Sequence, residues 1–322
     1  MRAVQISRTG GPEVLEVVDL PTPQPGPGQA RVRHEAVGLN FIDTYRRSGL
    51  YPPAELPAVL GDEAAGVVEA VGEGVAAVAP GDRVAFIGAR AYAEASVQPA
   101  DRLVRLPDGV DARTAAAVLL KGMTAEFLLR RCFPVQAGQT ILVHAAAGGV
   151  GQILVQWGRA LGARLIGTVG SEAKAEEARA LGCEHVILYR QEDVAERVRE
   201  ITGGEGVHVV YDGVGRATFD TSLSSLRRRG MLVSFGNASG PAPAVEPLRL
   251  SRGGSLFLTR PTLFDYIHTA EELADSAQAL FDRVLHGDVR VSVGAEYALD
   301  QAADAHRALE ARETTGSTLL IP

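Results

Sequence analysis

The segment "HAAAGGVGQ", residues 144–152, concentrates small residues where a chain would have to come close to a ligand. Within it Ala146-x-Gly148-x-x-Gly151 sits between an apolar run, "TILV", and a helix-like run, "QILVQ". That is the strand–turn–helix setting that a dinucleotide fingerprint requires. Gly148 lets backbone approach a pyrophosphate without a Cβ. Gly151 lets the helix pack on the strand. The helix N-terminus offers unpaired N–H groups and the positive end of its dipole to the phosphates. Alanine in the first slot departs from the pattern and implies a slightly different turn. A plain tight turn needs the same glycines, so the context carries the assignment.

The next position with chemistry lies about 20 residues on, at the end of the second strand. A site for NAD places Asp or Glu there to bind the ribose hydroxyls. Here "GTVGSEAK" puts Gly170 and Ser171 at the strand end and Lys174 one helical turn later. Ser171 donates to a 2′-phosphate and Lys174 supplies charge. Glu172 fits this only if its side chain turns to solvent. The pattern favours NADPH.

These positions need a frame. From Gly138 apolar runs alternate with amphipathic ones: "TILVHAA", "RLIGTVG", "HVILY", "VHVVYDGVG", "GMLVSFGN" and "SLFLTRP" are strand-like. "GQILVQWGRALG", "SEAKAEEARALG", "EDVAERVREITG" and "TFDTSLSSLRR" are helix-like. Six strands with crossover helices predict an α/β fold, a doubly wound parallel sheet covered on both faces. The Pro/Gly-rich "NASGPAPAVEP" replaces the last helix, and "DYIHTAEELADSAQALFDRVLHG" reads as one long helix. The first third, with runs such as "QARVRHEAVGLN", reads as short strands, a short polar helix "FIDTYRRSG", and a longer helix from Asp111. Asp43 suits a cap on the short helix.

The chain has 322 residues, 46% hydrophobic and 22% charged. That length predicts two domains. No run of about 18 apolar residues predicts a membrane span, and no signal peptide is visible. Cys132 and Cys183 lie far apart and form no metal or disulfide pattern, which fits a reducing cytoplasm. A net charge of −7 disfavours nucleic acid as a partner. The seven histidines show no i,i+4 pair, and each is expected at the surface or locally hydrogen-bonded. No nucleophile pattern such as G-x-S-x-G occurs.

The chain resembles the zinc-independent medium-chain dehydrogenase/reductases, and among them the bacterial NADPH:quinone oxidoreductases related to ζ-crystallin. The resemblance runs nearly end to end. It is carried by "GLNFIDTYRRSGLYPP", "LGDEAAGVVEAVGEGV", "LLKGMTAEFLLRR", "HAAAGGVG", "VSFGNASG", "LTRP" and "ETTGSTLLIP". It implies a mainly β GroES-like catalytic domain in residues 1–123, an NADP-binding Rossmann domain in 124–262, and a return to the first domain in 263–322. It also implies a cofactor in the interdomain cleft. Zinc-dependent members have a cysteine at Asn40 and a histidine at Asp62, so no metal is expected. Quinones need no Lewis acid, since the ring is already electrophilic; chemistry reduces to positioning and exclusion of water.

By the same resemblance Asn40, Tyr45 and Tyr51 line the nicotinamide end of the cleft, and Gly149 and Val150 face the pyrophosphate. Ser171, Lys174 and Tyr189 surround the 2′-phosphate. Gly213 and Val214 lie on the adenine side. Phe235, Gly236 and Asn237, with Thr259, Arg260 and Pro261, form the nicotinamide-side wall, and Arg312 closes on the cofactor. No catalytic residue is implied; Asn40, Tyr45, Tyr51 and Asp62 are the cleft candidates. Two positions depart from close relatives. Phe127 replaces a tyrosine and loses its hydrogen bond, and Asp62 replaces a threonine and brings a carboxylate to the substrate. Relatives pair through the last Rossmann strand, so a homodimer is expected. The expected activity is transfer of reducing equivalents from NADPH to quinones. Reduction of enones and other conjugated carbonyls, or NADPH binding without catalysis in an RNA-binding or crystallin-like role, are the alternatives.

Overall fold

The computed structural model describes residues 1–322. The chain divides into two compact units. The first comprises Met1–Met123, Thr269–Leu285 and Val291–Pro322, and the second Thr124–His268 and His286–Arg290.

In the first unit β1 (Arg2–Ile6) pairs with β2 (Leu15–Asp19). The long β3 (Gln29–Leu39) leads into α1 (Phe41–Ser48) and a two-residue strand β4 (Ala58–Val59) that returns to β1. Four more strands follow: β5 (Glu63–Val71), β6 (Arg83–Ile87), β7 (Ala95–Pro99) and β8 (Leu103–Arg105). The boundary of the units falls inside α2 (Ala112–Phe127). Val4 and Ile6 of β1, Val32 and Val37 on either side of an irregularity in β3, Phe86 of β6 and Tyr92 from the loop before β7 share one core. Each buried aliphatic or aromatic side chain of this kind contributes about 1.5–3 kcal/mol.

The second unit continues α2 through a π-helical turn at Leu128–Cys132. Strands and helices then alternate as the sequence pattern predicts: β9 (Thr140–Val143), α3 (Gly149–Ala160), β10 (Arg164–Val169), α4 (Glu172–Leu181), β11 (His185–Leu188), α5 (Val194–Ile201), β12 (Val207–Asp212), α6 (Phe219–Ser224) and β13 (Leu226–Ser234). A short helix α7 (Pro247–Arg252) and β14 (Phe257–Thr259) close the sheet. All neighbours are parallel, in the order β11-β10-β9-β12-β13-β14. The order reverses between β9 and β12, the switch point at which such sheets bind ligands.

Three helix assignments from sequence need correction. "TFDTSLSSLRR" is helical only to Ser224, because Leu226 is buried and pairs with Val207 at the start of β13. The Pro/Gly-rich segment does not replace the last helix; it leads into α7, with Pro247 at the first helical position. The long helix after Pro261 is two, α8 (Leu263–Tyr266) and α9 (Ala270–Leu285). The break is a capping box. Thr269 Oγ1 accepts from Glu272 N, and the Glu272 carboxylate accepts from Thr269 N.

The chain then forms β15 (Val293–Ala298), α10 (Ala302–Glu310) and β16 (Ser317–Ile321). β16 enters between β15 and β3, so the seven-stranded sheet of the first unit joins both ends of the sequence. No helix is long and apolar enough to cross a membrane.

Candidate functional site

The turn after β9 is built by one strained residue. Ala145 adopts φ 52°, in the left-handed region, and its carbonyl accepts from Gly148 N at 2.8 Å. A non-glycine residue there costs about 1 kcal/mol or more. The same carbonyl points at Gly151 so closely that any Cβ on Gly151 would overlap it. The first helical bond is Gln152 N to Gly148 O, which leaves the N–H groups of Gly149, Val150 and Gly151 without helical acceptors. Alanine in the first slot is matched across the sheet. Ala146 is buried, and its methyl occupies the space a side chain on Gly167 of β10 would need, 2.7 Å from the Cβ position. The cradle fits a pyrophosphate: it offers N–H groups, no side chain in the way, and a twelve-residue helix behind it.

At the end of β10, Gly170 gives space to Tyr189, whose hydroxyl lies 2.6 Å from where a Cβ would be. Ser171 caps α4 with its backbone only, so its hydroxyl is not engaged by the helix. Glu172 is turned away and paired with Arg179 at 2.8 Å. Lys174 faces a carboxylate that sequence reasoning missed. Glu177 accepts from Gln152 Nε2 at 2.5 Å, and burial raises its pKa against the pull of Lys174. Its signal was its place one turn beyond Lys174.

The ends of β12 and β13 are tied by a polar knot that was also missed. Asp212 is fully buried, and its Oδ1 accepts from Val214 N at 2.8 Å and Gly215 N at 3.0 Å. Thr218 and Ser222 donate their hydroxyls to the same carboxylate. Since the Ser222 proton goes to Asp212, Ser222 accepts from His144 Nε2, and His144 Nδ1 accepts from Thr168. His144 is therefore a buried neutral histidine, its pKa lowered by burial. His34 and His306 are buried and hydrogen-bonded too. Gly213 and Gly236 approach with no room for a side chain on either, and the Phe235 ring lies 2.9 Å from the Gly213 Cβ position. Asn237 turns back through Gly240 N, bonded to its carbonyl at 2.9 Å. Arg260, just after Thr259, donates to Pro261 O. All these candidates of the second unit thus follow the carboxyl ends of its strands.

In the first unit Asn40 precedes α1. Its amide nitrogen is taken by Glu63 at 2.8 Å and by Gly38 O, so only its oxygen can meet a ligand. Tyr45 and Tyr51 pack edge to face, 5.5 Å between centroids, with Tyr51 exposed. Asp62 is not a free carboxylate. Arg46 grips both its oxygens at 2.7 Å. Arg312 follows α10 with φ 61°. Phe127, in the second unit, is buried and stacks on Tyr266, 4.3 Å between ring centroids. No group of three or more His, Cys, Asp or Glu is placed to hold a metal ion.

A parallel sheet in the 3-2-1-4-5-6 order, a glycine cradle at its switch point, and a β-rich unit that closes with the C-terminal strand define a medium-chain dehydrogenase/reductase. The comparisons agree. A family model described as alcohol dehydrogenase GroES-like domain matches residues 26–131, and one described as zinc-binding dehydrogenase matches 149–283. A quinone oxidoreductase of Pseudomonas aeruginosa is 52% identical, over 100% of this chain and 99% of that protein. A 2-haloacrylate reductase of a Burkholderia species is 45% identical, over 99% and 98%. The crystal structure of Escherichia coli quinone oxidoreductase complexed with NADPH superposes with a TM-score of 0.98 at 47% identity, over the whole of both chains. The chain belongs to the quinone oxidoreductase family of that class.

Proposed function

We propose that this chain reduces quinones with NADPH. The single observation that carries the reading is the cradle of Gly148–Gly151 at the switch point, with Ser171 and Lys174 in place of an acid at the end of β10. Bound NADPH supplies the hydride. The protein binds the pyrophosphate on the N–H groups of α3 and orients the dinucleotide along the strand ends. It keeps the nicotinamide side dry with Phe235 and the glycine contacts beneath it. Asn40, Tyr45 and Tyr51 are assigned to the nicotinamide and quinone, and Arg312 to the cofactor. Steady-state NADPH oxidation with 1,4-benzoquinone, 9,10-phenanthrenequinone and a simple enone tests the reading. Turnover of the enone alone would favour the second reading, conjugated-carbonyl reduction, for which the 2-haloacrylate reductase relative speaks.

Lys174→Ala should raise KM for NADPH by about 10- to 150-fold. A hydrogen bond to a charged group is worth about 1.5–3 kcal/mol, and 1.4 kcal/mol is tenfold. Half-burial of Lys174 and solvent at this rim favour the lower figure. KM for NADH, which lacks the phosphate, should barely move, and kcat should hold because ground and transition states lose the same contact. Paired Michaelis curves check this; equal losses for both cofactors would remove Lys174 from phosphate recognition.

The chain is assigned to the cytoplasm, where its two free thiols persist unpaired. It is also assigned as a homodimer through β14. That edge strand exposes Phe257 at 55%, an aggregation hazard unless covered. Light scattering at micromolar concentration should give twice the chain mass, and Phe257→Asp should give the single mass.

A further inference from the structure

A line of polar side chains runs through the core of the first unit, and hydrogen-bonding chemistry fixes its direction. Arg47, from α1, is buried and held by Glu310 of α10 at 2.7 and 3.0 Å. Its Nη1 lies 3.0 Å from His306 Nδ1. A guanidinium only donates, so Nδ1 is the acceptor and the proton sits on Nε2. His306 Nε2 then donates to the Tyr92 hydroxyl at 2.9 Å, and Tyr92 donates to Asp43 Oδ2 at 3.1 Å. Burial, with Arg47 alongside, lowers the His306 pKa to about 3, so the ring stays neutral.

Asp43 is the end of this line. Its Oδ2 also accepts from Asn40 N at 2.8 Å. Its Oδ1 is buried and has no donor. The group facing it is another carboxylate, Asp62, which is itself gripped by Arg46. Two carboxylates and one nearby guanidinium leave one negative charge unbalanced in a site with no exposed surface at Asp43. A proton on Oδ1 turns the bare oxygen into a donor to Asp62 and balances the site. Burial and the Asp62 charge both raise the Asp43 pKa, against the pull of Asn40 N and Tyr92. Asp62 and Arg46 in turn line a cavity of about 310 Å³, with Leu60, Gly61 and Arg90 among its walls.

We propose that Asp43 holds a proton against Asp62 at neutral pH and delivers it, through Asp62, to the reduced substrate in this cavity. Reduction of a quinone by NADPH adds a hydride and consumes one proton. The hydride leaves an oxyanion on the product. The proton moves from Asp43 Oδ1 to Asp62 and from Asp62 to that oxygen. A proton from bulk solvent then returns through the cavity and Asp62 to Asp43, which balances the one consumed. While the pair is doubly ionised, Arg46 on one side and the Tyr92 and Asn40 donors on the other stabilise it. The delivery step rests on the proposed quinone reduction; the proton on Asp43 does not.

The two halves are tested separately. Infrared difference spectra of the wild-type protein at neutral pH, without cofactor, should show a buried carboxylic-acid carbonyl band that shifts in D2O and is missing in Asp43→Asn. Absence of that band in the wild type overturns the proposal. Asp43→Asn keeps the hydrogen bonds of the protonated acid, since its amide donates to Asp62 and its carbonyl accepts from Tyr92, but it has no proton to give. Its kcat with a quinone should fall by about 10²-fold, the lower end for general-acid catalysis. The alkaline fall in wild-type kcat should be absent from its pH profile, and KM for NADPH should be unchanged. Wild-type kcat and pH profile in Asp43→Asn, with the band gone, would overturn the delivery. Failure of both proteins to reduce any quinone, with the band present, would instead defeat the functional reading.

Discussion

Asp212→Ala should destabilise the second unit by about 3–6 kcal/mol. The carboxylate accepts from two backbone N–H groups, that of half-buried Val214 and that of buried Gly215, and from two hydroxyls. A hydrogen bond to a charged group is worth about 1.5–3 kcal/mol, and the two backbone donors have no other acceptor once the carboxylate is gone. That loss is a large share of the about 5–15 kcal/mol that holds a domain together. Asp212→Asn should cost much less. Its remaining oxygen can keep both N–H groups, and the Thr218 and Ser222 hydroxyls can rotate to accept from the new amide. The single tryptophan, Trp157, lies buried in α3, so its fluorescence reports this unit alone during urea unfolding. Equal midpoints for Ala and wild type would show that the knot is not holding the β12 loop.

Gly151→Ala should weaken NADPH binding by about 10²-fold and lower stability by about 1–3 kcal/mol. The added Cβ meets the carbonyl oxygen of Ala145 and lies 3.0 Å from the carbonyl carbons of Ala145 and Ala146. These are backbone atoms, so no rotamer change relieves the clash. Overpacking of this kind costs about 1–3 kcal/mol. The turn carrying the anion-binding N–H groups must shift, and a displacement of about 1 Å in a positioning element can cost 10²-fold. Fluorescence titration with NADPH and a thermal melt measure both effects. Binding at the wild-type affinity would mean that the turn relaxes elsewhere and that the close approach is not required.

Local patterns in the sequence carried much of this. Alternation of apolar runs with amphipathic ones fixes the parallel sheet, because a strand covered on both faces must be apolar throughout. Gly148 and Gly151 are readable because close approach demands glycine whatever the rest of the chain does. What stayed hidden depends on partners distant in sequence. Asp212 and His144 read as residues at strand ends, yet they meet through Ser222, 78 positions from His144. Asp62 reads as a lone carboxylate, and only the fold shows it locked by Arg46 and facing Asp43. The break between α8 and α9 was present locally, as Thr269 and Glu272. Apolar periodicity runs straight across it and masks the cap.

The position of β16 sets an order of events during synthesis. The second unit's sheet is complete once Thr259 has been made, and its strands are near neighbours along the chain. The first unit begins earlier but finishes last, since β3 at residues 29–39 waits for its partner at 317–321. Loop closure over nearly the whole chain is slow, and domains otherwise tend to fold as they emerge. The N-terminal strands therefore leave the ribosome first and stand with an open edge while the later-made unit folds ahead of them. A growing chain of this protein matures from its middle outward.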